Sequence, residues 1–177
     1  MPQQLAQQVK DMIRDVHDFP KAGIVFKDIT TALKDAETLK KMVDFLCDKF
    51  KDEKIDYIVG LESRGFIFGV PVAYNLNAGF IPVRKPNKLP AKTLKESYSL
   101  EYGTDTLEMH EDAIKAGDRV LIVDDLLATG GTAGAACNLI NKTGAEIVGC
   151  AFVIELNDLN GRNQLPKGVK IVSMLEY

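Results

Sequence analysis

Two adjacent carboxylates and a loop of small residues form the most informative stretch of the chain. Asp124 and Asp125 come directly after the apolar run 120–123, and residues 128–132 read A-T-G-G-T. Neighbouring carboxylates suit the hydroxyls of a sugar, because a carboxylate accepts hydrogen bonds. The glycines of the loop let backbone N–H groups approach an anion closely, and the start of a helix favours negative charge. The stretch therefore predicts a cradle for a phosphomonoester beside a pair of carboxylates.

Two other phosphate-binding motifs are missing from the sequence. There is no G-x-x-x-x-G-K-[ST], which excludes a nucleoside-triphosphate P-loop, and no G-x-G-x-x-G, which leaves a dinucleotide site unsupported. The structural alternative is a tight strand-to-helix turn that contains a glycine pair. Thr129 and Thr132 add hydroxyl donors in register with the strand and the acidic pair, and this combination favours a binding loop.

The segments on either side of this loop predict the elements that position it. Residues 119–123 (R-V-L-I-V) are nearly all apolar, as in a strand covered on both faces, and a helix is expected from about residue 132 to 143, closed by Gly144. Strands that alternate with helices indicate an α/β fold, a mostly parallel twisted sheet flanked by helices. In such sheets ligands bind beyond the carboxyl ends of the strands. Short β-rich runs predict the other strands, at residues 55–61, 80–83, 147–154 and 170–174.

Helical spacing marks three further segments. Near the start of the chain, apolar residues recur at this spacing at Leu5, Val9, Met12, Ile13 and Val16. An amphipathic helix is therefore expected there, ending near Asp18. A second helix over residues 39–50 has Asp35 as its candidate N-cap, and a third is expected up to about Asn75. The long connection from Arg84 to about Met109 predicts a mobile flap with some β-structure.

Length, charge and cysteine content restrict the class of protein. The 177 residues fit a single domain, 1–177, and the net charge of -3 argues against a nucleic-acid binder. No segment approaches about 18 consecutive apolar residues, which argues against a membrane protein. The three cysteines (Cys47, Cys137 and Cys150) lack the spacing of a zinc site and indicate a reduced, cytoplasmic setting. No cluster of His, Cys and Asp has ligand spacing, so no permanent protein-bound metal is expected.

The acidic pair and its loop resemble the signature that type I phosphoribosyltransferases use to bind 5-phosphoribosyl 1-pyrophosphate (PRPP). This resemblance implies the type I phosphoribosyltransferase fold. It also implies that Asp124 and Asp125 face the ribose hydroxyls. The 5′-phosphate is then expected on the loop that follows, at Ala128, Thr129, Gly130, Gly131 and Thr132.

Residues 19–29 (F-P-K-A-G-I-V-F-K-D-I) resemble the base-recognition segment of the adenine-specific branch of this family. The resemblance implies a small N-terminal hood in which Phe26 stacks on the purine while backbone groups of Val25 and Lys27 read its polar edge. A planar base held between apolar surfaces and oriented by a few hydrogen bonds is the usual design of such pockets. The alternative is that Val25 and Phe26 are core residues of a short strand.

Two more segments resemble the parts of this family that handle pyrophosphate. Residues 60–66 (G-L-E-S-R-G-F) resemble its pyrophosphate loop, which implies that Glu62, Ser63 and Arg64 contact pyrophosphate, with the guanidinium forked onto phosphate oxygens. Residues 84–90 and 98–103 resemble its flexible catalytic flap. The resemblance assigns pyrophosphate binding to Lys88 and the catalytic role to Glu101, as a base or as an electrostatic partner of the purine imidazole. Lys92 and Lys95 are interpreted as ordinary solvated residues.

The resemblance implies transfer of the 5-phosphoribosyl group of PRPP to N9 of adenine, which yields AMP and pyrophosphate. Mg²⁺ is expected to arrive with PRPP, and the protein is expected to be a homodimer that binds neither nucleic acid nor membrane. One alternative is the same reaction on guanine, hypoxanthine or xanthine. The other is a non-catalytic PRPP-sensing regulator, which the acidic balance and the lack of a spare nucleic-acid-binding domain oppose.

Overall fold

The computed structural model describes the backbone of residues 2–99 and 103–177, and the side chains of these residues except 2 and 3. The described chain divides into two compact units, Met1–Phe45 and Leu46–Tyr177. No helix among the described residues is long and apolar enough to cross a membrane. The prediction that residues 1–177 form one domain stays a prediction.

The first unit holds two short strands between helices. Its elements are α1 (Pro2–Met12), β1 (Arg14–His17), β2 (Val25–Asp28), α2 (Thr30–Leu33) and the first part of α3 (Ala36–Phe50). The two strands are antiparallel, and Val16 lies opposite Phe26. The prediction of a helix reaching Asp18 was wrong, because α1 ends at Met12 and Val16 belongs to a strand. A spacing of four residues fits both periods, since it is close to one helical turn and also a multiple of two.

The N-cap of α3 was predicted correctly. One carboxylate oxygen of Asp35 accepts a hydrogen bond from the backbone N–H of Thr38 at 2.8 Å, which satisfies one of the amides that a helix start leaves without a partner. This hydrogen bonding from Thr38 lowers the pKa of Asp35. The apolar stripe predicted for the helix is buried, at Met42, Val43, Leu46 and Phe50.

The second unit is an α/β sandwich with an added hairpin. In chain order its elements are β3 (Tyr57–Leu61), α4 (Arg64–Asn75), β4 (Gly79–Val83), β5 (Thr93–Ser99), β6 (Thr104–His110), β7 (Arg119–Leu127), α5 (Gly131–Thr143), β8 (Glu146–Glu155), two 3₁₀ turns (Asn157–Leu159 and Gly161–Gln164) and β9 (Lys170–Glu176).

Five strands form a parallel sheet in the order β4-β3-β7-β8-β9, which confirms the predicted fold class. In the register, Ile122 of β7 lies opposite Val59 on one side and Cys150 on the other. From β3 the chain moves outward to β4 and later returns to build β7, β8 and β9 on the other side. The strand order therefore reverses between β3 and β7, and in open α/β sheets this point is where ligands bind.

The interior of β7 is apolar and fully covered. Residues 120–123 have no exposed surface, as expected for a central strand with side chains packed on both faces. Burying each Val, Leu or Ile side chain contributes roughly 1.5–3 kcal/mol. The strand continues beyond the predicted end to Leu127, so Asp124 and Asp125 lie within it.

The described part of the predicted flap is a hairpin of β5 and β6, paired from Thr93–His110 to Ser99–Thr104. Leu107 and Met109 of β6 are buried in the core of the second unit. The base of the hairpin is therefore anchored in the core.

None of the three cysteines forms a disulfide, and the three thiols differ in burial. Cys137 on α5 and Cys150 on β8 are buried, whereas Cys47 on α3 is partly exposed. Both buried thiols belong to the hydrophobic cluster that α5 and β8 share.

Candidate active site

The loops after β3 and β7 meet at the point where the strand order reverses. They enclose a cavity of about 210 Å³ lined by residues 62–64 and 124–133. These two segments come from separate strand–helix units, and the parallel pairing of β3 with β7 puts their carboxyl ends side by side. The cavity brings together most residues that the sequence predicted for PRPP, namely Glu62, Ser63, Arg64, Asp124, Asp125, Ala128, Thr129, Gly130, Gly131 and Thr132.

The loop at the start of α5 has the geometry of an anion cradle. Gly130 adopts the left-handed conformation (φ 83°), and a side chain there would collide with the carbonyl oxygen of Gly161. The carbonyl oxygen of Gly130 accepts the N–H of Gly134 at 2.8 Å, which closes the first helical turn. The N–H groups of residues 131–133 therefore have no partner within the helix. They supply donors for an anion at this end of the cavity.

The acidic pair lies at the floor of the cavity with a cation beside it. Asp125 is 4% exposed, and one of its carboxylate oxygens lies 3.0 Å from Nε of Arg64. Asp124 accepts a hydrogen bond from the backbone N–H of Asp125 at 2.9 Å. Burial raises the pKa of Asp124, and the adjacent Asp125 charge raises it further. Burial also raises the pKa of Asp125, against the opposing effect of Arg64. A ligand that donates hydrogen bonds or brings positive charge is favoured here.

Helix α4 starts close against this end of β7. A Cβ atom on Gly65 would lie 2.8 Å from both the carbonyl oxygen of Val123 and a carboxylate oxygen of Asp124. A larger residue at this position would push the first turn of α4 away from the acidic pair. The glycine therefore keeps Arg64 within reach of Asp125.

Glu62 holds the basic segment 84–88 in place. Its carboxylate accepts hydrogen bonds from the Arg84 guanidinium at 3.2 and 3.3 Å and from the backbone N–H of Lys85 at 2.9 Å. Nζ of Lys88 lies 3.9 Å from the same carboxylate. Burial opposes ionisation, but the Lys85 amide and Arg84 hold the pKa of Glu62 below its usual value.

Lys88 does not line the cavity, so the structure places this predicted residue beside the site. Contact of Glu62 and Lys88 with pyrophosphate stays a prediction. Nothing in the sequence indicated that Arg84 pairs with Glu62, because the two residues lie 22 positions apart.

Sequence reasoning also missed a tyrosine that reaches the phosphate loop from the hairpin. The hydroxyl of Tyr98 lies 3.1 Å from Oγ1 of Thr132 and 3.3 Å from a carboxylate oxygen of Asp105. Asp105 in turn pairs with Nζ of Lys85 at 2.7 Å. The position of Tyr98 within the flap-like segment was the only signal that could have found it.

The residues predicted to bind the base lie on β2 in the first unit. Val25 is 40% exposed, so the alternative of a core position is wrong for this residue. Phe26 packs edge-on against Phe19 with ring centroids 5.3 Å apart. The Lys27 ammonium lies 2.7 Å from a carboxylate oxygen of Asp15, so its side chain is engaged within the unit.

The remaining predictions concern the catalytic carboxylate and a bound metal. Glu101, the predicted catalytic residue, lies outside the described residues, and its role stays a prediction. Within residues 2–99 and 103–177, no group of three or more His, Cys, Asp and Glu side chains is placed to hold a metal ion.

Comparison with known proteins gives consistent matches over nearly the whole chain. Residues 29–174 match the phosphoribosyl transferase domain family. The adenine phosphoribosyltransferase of Trichodesmium erythraeum is 58% identical over 170 residues, which cover 96% of this chain and 99% of that protein. The adenine phosphoribosyltransferase of Nostoc punctiforme is 57% identical over 171 residues, with 96% and 99% covered.

Solved structures agree with these relatives. The crystal structure of adenine phosphoribosyltransferase from Rhodothermus marinus superposes with a TM-score of 0.94 at 52% identity, covering 99% of each chain. The Saccharomyces cerevisiae enzyme, complexed with an imino-altritol bisphosphate and adenine, superposes with a TM-score of 0.91 at 41% identity, covering 98% of this chain and 99% of the other.

Proposed function

The chain belongs to the phosphoribosyltransferase family and, within that family, to the adenine phosphoribosyltransferases, and we propose the following roles for its residues. The enzyme transfers the 5-phosphoribosyl group of PRPP to N9 of adenine and releases pyrophosphate, a step of purine salvage. The cavity between the loops after β3 and β7 is the observation that supports these residue roles.

The 5′-phosphate binds at the start of α5. Backbone N–H groups of residues 131–133 and the hydroxyls of Thr129 and Thr132 donate to its oxygens. Hydrogen bonds to charged groups contribute about 1.5–3 kcal/mol each. Because the phosphate does not react, this binding energy fixes the anomeric carbon relative to the other end of the cavity.

The ribose lies over the acidic pair, where Asp124 and Asp125 accept hydrogen bonds from its hydroxyls. The two carboxylates also fit a magnesium ion, because Mg²⁺ selects oxygen ligands and keeps several waters. Phosphoribosyltransferases generally use Mg²⁺ with PRPP. Asp124 and Asp125 would hold the ion, which would supply charge neutralisation for the departing pyrophosphate.

Arg64 receives the pyrophosphate at the amino end of α4. The bond that breaks joins the anomeric carbon to pyrophosphate, so positive charge builds on the ribose while a polyanion leaves. Fixed cations stabilise that polyanion without reorganising. Lys88 supplies a second cation from the segment that Glu62 holds.

The base is recognised by β2 and activated from the flap. Phe26 stacks on adenine, and backbone groups of Val25 and Lys27 read its polar edge. Glu101 serves as the base or electrostatic partner for the imidazole of the purine. These roles extend the family resemblance to the residues at matching positions.

Pyrophosphate release with PRPP and Mg²⁺ tests the function when adenine, guanine, hypoxanthine and xanthine are offered separately. Turnover with adenine alone is the expected result. Turnover with another base instead would keep the PRPP site and overturn the base assignment. PRPP binding without any turnover would favour a regulator. The Glu101→Ala variant should lose far more kcat than PRPP affinity, and kcat within about threefold of the parent would contradict its role.

We also propose a homodimer and a cytoplasmic setting. The family resemblance supports the dimer, and three cysteines without a disulfide fit a reducing compartment. Size-exclusion chromatography with light scattering at micromolar concentration should give twice the mass of the chain. A monomer under these conditions would contradict the proposal.

A further inference from the structure

Four side chains form a hydrogen-bonded row that ends in the phosphate loop. Nζ of Lys85 lies 2.7 Å from Oδ2 of Asp105, the Tyr98 hydroxyl lies 3.3 Å from the same oxygen, and Oγ1 of Thr132 lies 3.1 Å from the hydroxyl. Thr132 lines the phosphate end of the cavity. The row therefore connects the basic segment after β4, the β5–β6 hairpin and the start of α5.

The aromatic ring of Tyr98 also packs on the backbone of the loop. A Cβ atom on Gly131 would lie 3.1 Å from Cδ2 of Tyr98, and the ring joins the hydrophobic cluster of the second unit. Burial raises the pKa of Tyr98, so its phenol keeps the proton at neutral pH. The hydroxyl is therefore held at Thr132 by packing on one side and hydrogen bonding on the other.

The single proton of the Tyr98 hydroxyl has two acceptors within reach. Both distances exceed the usual 2.7–2.8 Å of an O–H···O hydrogen bond, as expected for a hydroxyl shared between two partners. If Tyr98 donates to Asp105, the better acceptor because it is charged, then Thr132 donates to Tyr98. In that arrangement the Thr132 proton points away from any anion in the cavity.

A phosphate in the loop reverses this arrangement. Its oxygens accept the Thr132 proton, which leaves Oγ1 of Thr132 as an acceptor for Tyr98. The phenol proton then rotates from Asp105 to Thr132, while Lys85 continues to neutralise Asp105. Only the two hydroxyl groups rotate, and no proton is transferred from one oxygen to another.

We propose that Tyr98 is a positioning residue that couples phosphate in the loop at the start of α5 to strand β5 of the flap. The proposal rests on the proposed function of that loop. With phosphate bound, the phenol donates to α5, and β5 is tied to the helix by a hydrogen bond in a fixed direction. Tyr98 comes three positions before Glu101 in the sequence. Binding at the non-reacting end of PRPP thus helps to place β5, which precedes the predicted catalytic carboxylate in the sequence.

Hydrogen–deuterium exchange with ribose 5-phosphate as the probe tests the coupling, because this ligand carries the 5′-phosphate and needs neither adenine nor pyrophosphate. At saturation, amides of β5 should exchange about threefold or more slowly in the parent protein. In Tyr98→Phe, which keeps the ring and removes the hydroxyl, this protection should vanish although the ligand still binds. Tyr74→Phe is the matched control, because Tyr74 is 85% exposed on α4.

Turnover provides the second readout. Tyr98→Phe should lower kcat/KM for PRPP by about tenfold, whereas Tyr74→Phe should stay within about twofold. Thr132→Ser keeps a hydroxyl and should keep the protection of β5, whereas Thr132→Val should abolish that protection. These two variants keep the test available if Tyr98→Phe fails to fold.

Protection of β5 in Tyr98→Phe equal to that of the parent would overturn the coupling. Absence of any protection in the parent at saturation would overturn it as well. If the parent does not bind ribose 5-phosphate at all, the proposed phosphate site fails and the coupling fails with it. Wild-type turnover with adenine is measured separately, so the two failures are distinguishable.

Discussion

In the proposed function, Arg64 contacts two anions, Asp125 and pyrophosphate. Its Nε lies 3.0 Å from Asp125, and 38% of its side chain is exposed at the cavity. A guanidinium has five donors in a planar fork, so one edge can hold a carboxylate while the other meets a phosphate. A lysine ammonium is a single point of charge and cannot hold a carboxylate on one edge and a phosphate on another.

Replacing Arg64 by lysine should therefore damage PRPP use more than stability. We expect kcat/KM for PRPP to fall by about 10–100-fold, equivalent to roughly 1.4–2.7 kcal/mol, with KM for adenine changed by less than about threefold. Steady-state kinetics with both substrates measure this. Arg119→Lys is the control, because Arg119 lies at the opposite end of β7 and should leave kcat/KM within about twofold. Equal kcat/KM values for the two variants would show that Arg64 does not bind pyrophosphate.

At the scale of elements, the basic segment 84–88 is supported from two sides. Glu62 holds it from the loop after β3, and Glu108 of β6 accepts the backbone N–H of Asn87 at 3.2 Å. Glu108 is 2% exposed and pairs with Nζ of Lys95 at 2.7 Å. The interpretation of Lys95 as an ordinary solvated residue therefore overlooked this pair.

Glu108→Gln should loosen the segment while keeping the shape of the side chain. We expect a lower unfolding free energy, because the ion pair between the Glu108 carboxylate and the exposed Lys95 ammonium is lost. We also expect KM for PRPP to rise by about threefold to tenfold through a less ordered Lys88. Urea unfolding and initial rates measure the two effects. Lys92→Ala serves as control, since Lys92 lies four positions after the basic segment 84–88 and has no assigned role at the site. An unchanged KM in the Glu108→Gln variant would limit Glu108 to a structural role.

Glu155, the last residue of β8, forms an ion pair with Arg162 of the 3₁₀ turn Gly161–Gln164. Both carboxylate oxygens of Glu155 accept hydrogen bonds from Arg162 at 2.7 Å, and Ser173 donates at 2.6 Å. Glu155 is 3% exposed. These hydrogen bonds, those of Arg162 first, lower the pKa of Glu155 although burial opposes them. Arg162 lies in the 3₁₀ turn whose Gly161 packs against the phosphate loop.

Stability should therefore decrease in acid partly through this pair. A carboxyl whose pKa is lower in the folded state stabilises the protein above the unfolded pKa, 4.5 for Glu155, and this contribution is lost as pH falls through the folded pKa. We expect Glu155→Gln to cost about 1–3 kcal/mol at pH 7 and clearly less near pH 3. Urea midpoints of both proteins from pH 7 to pH 3 measure the difference. A pH-independent difference would contradict the ionic contribution.

At the scale of the whole molecule, ligand binding should appear as added stability. PRPP with Mg²⁺ at about 100 times its Kd should contribute about 2.7 kcal/mol, which raises Tm by roughly 5–10 °C for a chain of this size. Mg²⁺ alone should shift Tm by less than about 1 °C, because the described residues hold no metal cluster. Differential scanning calorimetry with and without a chelator separates these cases. A large shift with Mg²⁺ alone would indicate a metal site within the protein.

The sequence predicted the sheet and the cavity because their signals are local. The apolar run before Asp124, the glycine pair and Gly144 each lie within the segment whose structure they determine. The helix wrongly extended through Val16 shows where local spacing is ambiguous, since the pairing of β1 with β2 decided the outcome.

Contacts between distant segments could not be predicted from the sequence. Tyr98 and Thr132 lie 34 positions apart, and Glu155 meets Ser173 only because β8 and β9 are neighbours in the sheet. Such partners depend on strand order and register. Neither is determined by the spacing of residue types within one segment.

Because the three thiols differ in burial, their labelling rates report how often the core of the protein opens. A small alkylating reagent should reach Cys47 in the folded protein, whereas Cys137 and Cys150, at 1% and 0% exposure, react only when α5 separates from β8. The labelling rate of these two cysteines then measures how often α5 separates from β8. PRPP should slow this labelling by the factor by which it stabilises the folded state, so mass spectrometry of two natural residues can follow substrate binding without an engineered probe.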